Sequence, residues 1–272
     1  MWNKIYQGIL REVYVNGSKE FNERTKTMTI RKFGVSFVIR DVNYLPLLTI
    51  RKMFPKTGAA ELAWSLLGTR DTEWLNKYTS IWKKFEDSPG IISGAYGHRW
   101  RHAFGRDQIF DLIALLKKDP SNRQGVVVTW DASSDGLMNT GKSKNVPCPY
   151  TFVCNVINNK LNIMVAQRSA DMILGLPYDV MMYSLLNMAI AKELGVVPGD
   201  VMFSIADAHV YEPYFGVTEE LLRNSHEEFC SCFDSMSVSE IISSPDDYVN
   251  CVVDYAMTYS CVDYSPRLEC IQ

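Results

Sequence analysis

Two short runs rich in β-branched and aromatic residues, 151–157 (TFVCNVI) and 161–165 (LNIMV), are separated only by Asn158, Asn159 and Lys160. Such runs at such a spacing predict two strands joined by a tight turn. A hairpin brings its two ends together. Cys148 stands just before the first run and Arg168 just after the second, so the pattern places a thiol beside a guanidinium. A neighbouring cation favours the thiolate, the form in which cysteine acts as a nucleophile. Taken alone, a cysteine ahead of a strand is more often a small buried apolar residue. Beyond Arg168, Gly175 and Pro177 mark a turn, and Val180, Met181, Leu185, Leu186, Ala189, Ile190 and Leu194 predict a largely buried helix from Tyr178 to Leu194. Gly195 and Pro198 stop it.

Around this centre the periodicities predict an amphipathic helix over residues 1–16, a strand over 27–39, helices over 59–68, 72–86 and 106–118, and a strand from Gly125 to Trp130. Residues 131–146 are polar and contain glycine, the composition of a mobile loop. From Thr218 onward helix and strand signals mix. No Pro/Gly/Ser-rich linker or repeat divides the chain, so residues 1–272 read as one domain. A net charge of −3 argues against a general nucleic-acid or membrane-surface protein, which needs a basic excess. The sequence shows no secretion signal and no run of apolar residues long enough to span a bilayer. Seven scattered cysteines without a CxxC pair suit a reducing cytoplasm, and the four histidines show no metal-ligand spacing, so no metal is expected.

Several polar residues sit where packing explains them poorly. Glu61 lies within the apolar run AELAWSLL, and a carboxylate on a buried helix is costly unless it serves a site or has a partner. Asp179 at the start of a predicted helix would ordinarily be an N-cap. Arg24, Arg123 and Arg168 would ordinarily be surface ion-pair partners, and Trp82 and Tyr96 core aromatics. His209 and Tyr211, two apart on a strand, share one side and suit a sugar hydroxyl.

The order PC, QRSAD, LGLPY, PGD and DAHVY between Pro147 and Tyr211 resembles the thymidylate synthase family, whose members carry PCH, QRSxD, LGxPFN, GD and GDAHIY in that order at similar spacing. Glu61 in ELAWSLLG, Ile81–Trp82, Tyr96–Gly97 with Trp100–Arg101, and Arg24 in NERTKT extend the likeness over roughly residues 5–215. The resemblance implies an α/β (α+β) fold with a large mixed sheet flanked by helices, one sheet face serving a homodimer. It implies Cys148 as the nucleophile at C6 of a pyrimidine nucleotide and 5,10-methylenetetrahydrofolate as one-carbon donor. It further implies Arg24, Arg168 and Ser169 on the 5′-phosphate, with Arg123 donated across the dimer interface. His209 and Tyr211 fall on the deoxyribose, Glu61 and Tyr96 in proton transfer, and Trp82, Asp171 and Gly175 along the folate.

Three departures from the family pattern concern the base and the phosphate. Pro149 replaces the histidine after the cysteine, Gln124 replaces the second arginine of a pair, and Asp179 stands where thymidylate synthases carry asparagine. An amide accepts from uracil N3–H and donates to O4, whereas cytosine offers an unprotonated N3 and a donating N4 amine. A protonated carboxyl donates to N3 and accepts from N4. The combination resembles the deoxycytidylate hydroxymethylases of DNA phages, and it makes dCMP the expected substrate and 5-hydroxymethyl-dCMP the expected product. A dCMP methyltransferase, a thymidylate synthase tolerant of aspartate, a CMP hydroxymethylase and a non-catalytic nucleotide- or RNA-binding relative remain the alternatives.

Overall fold

The computed structural model describes residues 2–137, 146–226, 231–266 and 268–271. Part of the expected polar loop, residues 138–145, lies outside them. Six strands form one mixed sheet: β1 (Ser18–Asn22), β2 (Thr27–Ile39), β3 (Val126–Val128), β4 (Pro149–Ile157), β5 (Lys160–Asp171) and β6 (Val197–Tyr211), in the order β1-β2-β6-β5-β4-β3. Only β5 and β6 run parallel, because a helical crossover joins them. The hairpin falls where expected. Asn158 and Asn159 both take positive φ, 51° and 59°, the left-handed pair that a two-residue turn demands and that asparagine tolerates.

The register turns alternation into two rows. On one face Val127, Phe152, Val165, Phe203 and Phe37 stand side by side across five strands, all buried. On the other face Val126, Val153, Met164, Met202 and Val38 form the matching row, and none of them is buried. The buried row is covered by α5 (Gly175–Leu194), which packs on β5 and β6, while α1 (Trp2–Asn16) packs on β2. Outside these lie α2 (Pro55–Leu67), α3 (Tyr96–Arg101) and α4 (Gln108–Lys118). α6 (Phe215–Arg223), α7 (Val238–Ser243) and α8 (Pro245–Ala256) follow, so the mixed signals after Thr218 resolve, among the described residues, into helices and irregular chain without a strand.

Three expectations change. The helix expected over 72–86 is two short 3₁₀ turns, Leu75–Lys77 and Ile81–Phe85. Thr72 Oγ1 donates to Glu86 Oε1 at 2.7 Å, whereas a straight α-helix would hold those residues about 21 Å apart. The side chains close the segment into a loop instead. The turn expected at Gly175 and Pro177 is already the first turn of α5; proline fits there because its missing N–H would have had no helical acceptor. Asp179 is consequently inside α5 and caps nothing. Gly195, with φ 70°, ends that helix as expected. No helix among the described residues is long and apolar enough to cross a membrane.

Candidate active site

Because β4 begins at Pro149, opposite Gln167, the last residues of β5 lose β4 as a neighbour and keep only β6. The opening this leaves is the site. Cys148 lies at its edge: its carbonyl oxygen accepts from the Arg168 backbone N–H at 2.9 Å, and its Sγ is 3.5 Å from Ser169 Oγ. Arg168, though exposed, is tied down by its own side chain. Its Nε donates to the Pro147 carbonyl at 2.9 Å, its Nη2 to the Val146 carbonyl at 2.8 Å, and its Nη1 lies 3.3 Å from Ser169 Oγ. The hairpin geometry expected for thiol and guanidinium is therefore present, with Ser169 between them.

Parallel pairing of β5 with β6 sets Ser169 opposite Asp207 and Asp171 opposite His209. His209 and Tyr211 face the same side, ring centroids 4.9 Å apart. His209 Nδ1 lies 3.4 Å from Asp207 Oδ1, and Asp207 also holds Arg31 from the paired strand β2. Arg24 sits in the turn between β1 and β2, its backbone N–H held by Asn22 Oδ1 at 3.0 Å, and its side chain hydrogen-bonds the Tyr211 hydroxyl. Burial raises the Tyr211 phenol, and that arginine pulls the other way. Thus Arg24, Arg168, Ser169, His209 and Tyr211 gather on one rim.

The floor is built from helices. Gly97 in α3 rests directly on α2, where a Cβ would run into the Ser65 carbonyl, and this close approach sets Tyr96 next to the helix that carries Glu61. Burial pushes the Glu61 carboxyl up to about 7, opposed by the Trp82 indole and reinforced by the charge of Asp179. Asp179 is likewise pushed up to about 7, by burial and then by Asp171, although Gln167 Nε2 donates to its Oδ2 at 2.7 Å. Burial raises Tyr96 well above an ordinary phenol, helped by Cys148 and Asp179 and opposed by Arg168. Two carboxyl groups that hold protons near neutrality thus lie beneath a thiol.

On the third side Trp82 meets Tyr96 edge-on at 5.7 Å and stacks obliquely against Trp64 and Phe85. Its indole also faces the Glu61 carboxyl. Asp171 Oδ1 accepts from the backbone N–H groups of Ile173 and Leu174, at 2.9 and 3.1 Å, bracing the entry to α5, and burial raises its carboxyl. Gly175 lies beside it: a Cβ there would be in ordinary contact with Asp171 Cβ, at 3.8 Å. The chain's last described segment runs across this side. Thr49 O accepts from Val262 N and Tyr264 O from Lys52 N, and the Tyr214 hydroxyl donates to the Glu269 carbonyl. Cys270 then lies close enough to Asp171, Lys84 and Arg24 to feel their charges.

Arg123 stands apart. It is exposed in the turn between α4 and β3, beside Asp119 and Asn122, at the far edge of the sheet from β2, and does not reach Cys148 within the chain. Sequence reasoning passed over Gln167, although a signal for it existed. It follows Leu161, Ile163 and Val165 on the inward face of β5, and a polar residue at an inward position asks for a partner. Among the described residues no group of three or more His, Cys, Asp or Glu side chains is arranged to hold a metal ion.

Comparison with known proteins places these features in context. A family model described as thymidylate synthase matches residues 4–251. The thymidylate synthase of Enterobacteria phage T4 is 30% identical over 243 residues, which cover 84% of this chain and 83% of that protein.

Proposed function

The chain belongs to the thymidylate synthase family, whose members carry out folate-dependent one-carbon transfer to a pyrimidine nucleotide, typically as homodimers; from that premise we propose that this enzyme acts on C5 of dCMP and finishes with water, giving 5-hydroxymethyl-dCMP. The observation that carries the base choice is Asp179, half-buried against Gln167, with its carboxyl raised by burial to about 7. In its protonated form, with its hydroxyl toward N3, it donates to N3 and accepts from the N4 amine, an orientation that uracil does not match.

Cys148 adds as thiolate to C6, which makes C5 nucleophilic. The bound 5,10-methylenetetrahydrofolate supplies the one-carbon unit and leaves as tetrahydrofolate. Tyr96 assists removal of the C5 proton, Glu61 places the water whose oxygen becomes the new hydroxyl, and expulsion of the Cys148 sulfur restores the aromatic base. Overall dCMP, methylenetetrahydrofolate and water give 5-hydroxymethyl-dCMP and tetrahydrofolate, with no change of oxidation state. Trp82, Asp171 and Gly175, which share the third side of the site, would hold the folate. Arg24, Arg168 and Ser169 take the phosphate, His209 and Tyr211 the sugar. Arg123 reaches a partner's site across the unburied row of Val126, Val153, Met164, Met202 and Val38, an apolar sheet face suited to a second copy.

The second reading is a thymidylate synthase acting on dUMP, favoured by the 30% identity to the T4 protein of that name. Incubating the enzyme with methylenetetrahydrofolate and dCMP or dUMP decides between them, with nucleotides identified by mass and dihydrofolate followed by its near-ultraviolet absorbance. Hydroxymethyl-dCMP without dihydrofolate is the expected outcome. Stoichiometric dihydrofolate with 5-methyl-dCMP would make the enzyme a methyltransferase, and preference for dUMP would remove the Asp179 argument.

A further inference from the structure

Gln167 is 1% exposed, its Nε2 donates to Asp179 Oδ2 at 2.7 Å, and its Oε1 is buried with no hydrogen-bond partner. An apolar side chain of similar size would fill the space without leaving a buried carbonyl unpaired, so packing alone does not account for an amide here. The group it touches is the one proposed to read the base. We infer that Gln167 is a specificity-setting positioning residue, which fixes the turn of the Asp179 carboxyl so that Oδ2 stays an acceptor and the proton rides on Oδ1. The inference rests on the dCMP reading above.

The chemistry follows from one donated hydrogen bond. The amide N–H of Gln167 is best received by the carbonyl oxygen of a carboxylic acid, which leaves the hydroxyl on the other oxygen. With Oδ2 as carbonyl it also accepts from the cytosine N4 amine, while Oδ1–H donates to N3. Turned over, the carboxyl would set its hydroxyl against the amine and a lone pair against N3. The titratable groups facing Asp179 are Glu61 from α2, Tyr96 from α3, Asp171 from the end of β5 and Tyr183 from its own helix. Asp171 pushes the proton on, and Gln167 pulls the other way. Removing the amide therefore favours the acid while freeing its orientation.

The test is a double-mutant cycle on the whole enzyme: parent, Gln167→Met, Asp179→Asn and the pair, with kcat/KM for dCMP and dUMP measured between about pH 5.5 and 9. In the parent, dCMP turnover falls as Asp179 loses its proton. Gln167→Met is expected to lower the low-pH plateau for dCMP about tenfold and to move the falling limb to higher pH. In the Asp179→Asn background it should cost little more. Gln167→Glu, which keeps the shape, should move the limb further upward, because two touching carboxyls do not both ionise. Thermal melts of all variants separate these effects from misfolding. Equal losses in both backgrounds with an unmoved limb would overturn the inference while leaving a dCMP-preferring parent's base reading intact. A parent that prefers dUMP would overturn both.

Discussion

The rim and the floor of the site are built on opposite principles. The rim, with Arg24, Arg168, Ser169, His209 and Tyr211, hangs from strand ends and the turn between β1 and β2, and its cations face outward. The floor, with Glu61, Tyr96, Asp179 and Gln167, is carried by α2, α3, α5 and the inward face of β5, and its acids keep their protons up to about 7. Charge at an exposed rim attracts any nucleotide phosphate and says nothing about the base. On the proposed function, discrimination belongs to the more buried side, where a mismatched donor or acceptor is left unpaired at a cost of about 1–3 kcal/mol. One half of the site would then capture and the other half choose.

Cys148 sits where the two halves meet, and removing it should separate capture from chemistry most completely. Cys148→Ala is expected to cut turnover at least about 10³-fold while dCMP binding, measured by calorimetry, changes only a few-fold. Substantial residual turnover would take Cys148 out of its role. Asp179→Asn tests the floor alone: kcat/KM should fall roughly 10²-fold for dCMP and rise for dUMP, with an unchanged ratio sinking the division of labour. Arg168→Ala tests the rim, and should raise KM about tenfold for both nucleotides while leaving their ratio alone; a change in the ratio would mean that the rim also reads the base.

The hairpin, the strand at 27–39, the α5 body and its stop at Gly195 were all legible in the sequence, because each rests on a local rule. Asparagine pairs accept positive φ, alternation fixes a strand's faces, and glycine ends a helix in the left-handed conformation. The region 72–86 was not legible, since the bond between Thr72 and Glu86 is a closure that periodicity does not register. Most candidate site residues were found through motif order. Their sorting into rim and floor was not, because it depends on the contact of Gly97 with α2 and on where β4 begins. Gln167 needed only the alternation of β5 to be noticed.

The smallest expected effect concerns stability. Glu61 and Asp179 have folded pKa values raised from 4.5 and 3.8 to about 7, so each contributes stability that is present below its unfolded value and lost as pH rises through about 7. Glu61→Gln has no proton to lose. It should melt about 2–4 °C above the parent at pH 8, on the order of 1 kcal/mol, and the difference should close toward pH 4. No pH dependence in that difference would mean that the floor is as well solvated as the rim.

The backbone bond from Arg168 N–H to the Cys148 carbonyl makes the proposed nucleophile the end rung of the β4–β5 ladder, next to the register shift between Pro149 and Thr151. In terms of local opening, the thiol sits where the sheet can part first. Fluctuations that move the sulfur need open only that end, while the inner row of Phe152, Val165 and Phe203 stays closed, so they cost less than unfolding the whole domain. Amide exchange at Arg168 should accordingly be faster than at Val165.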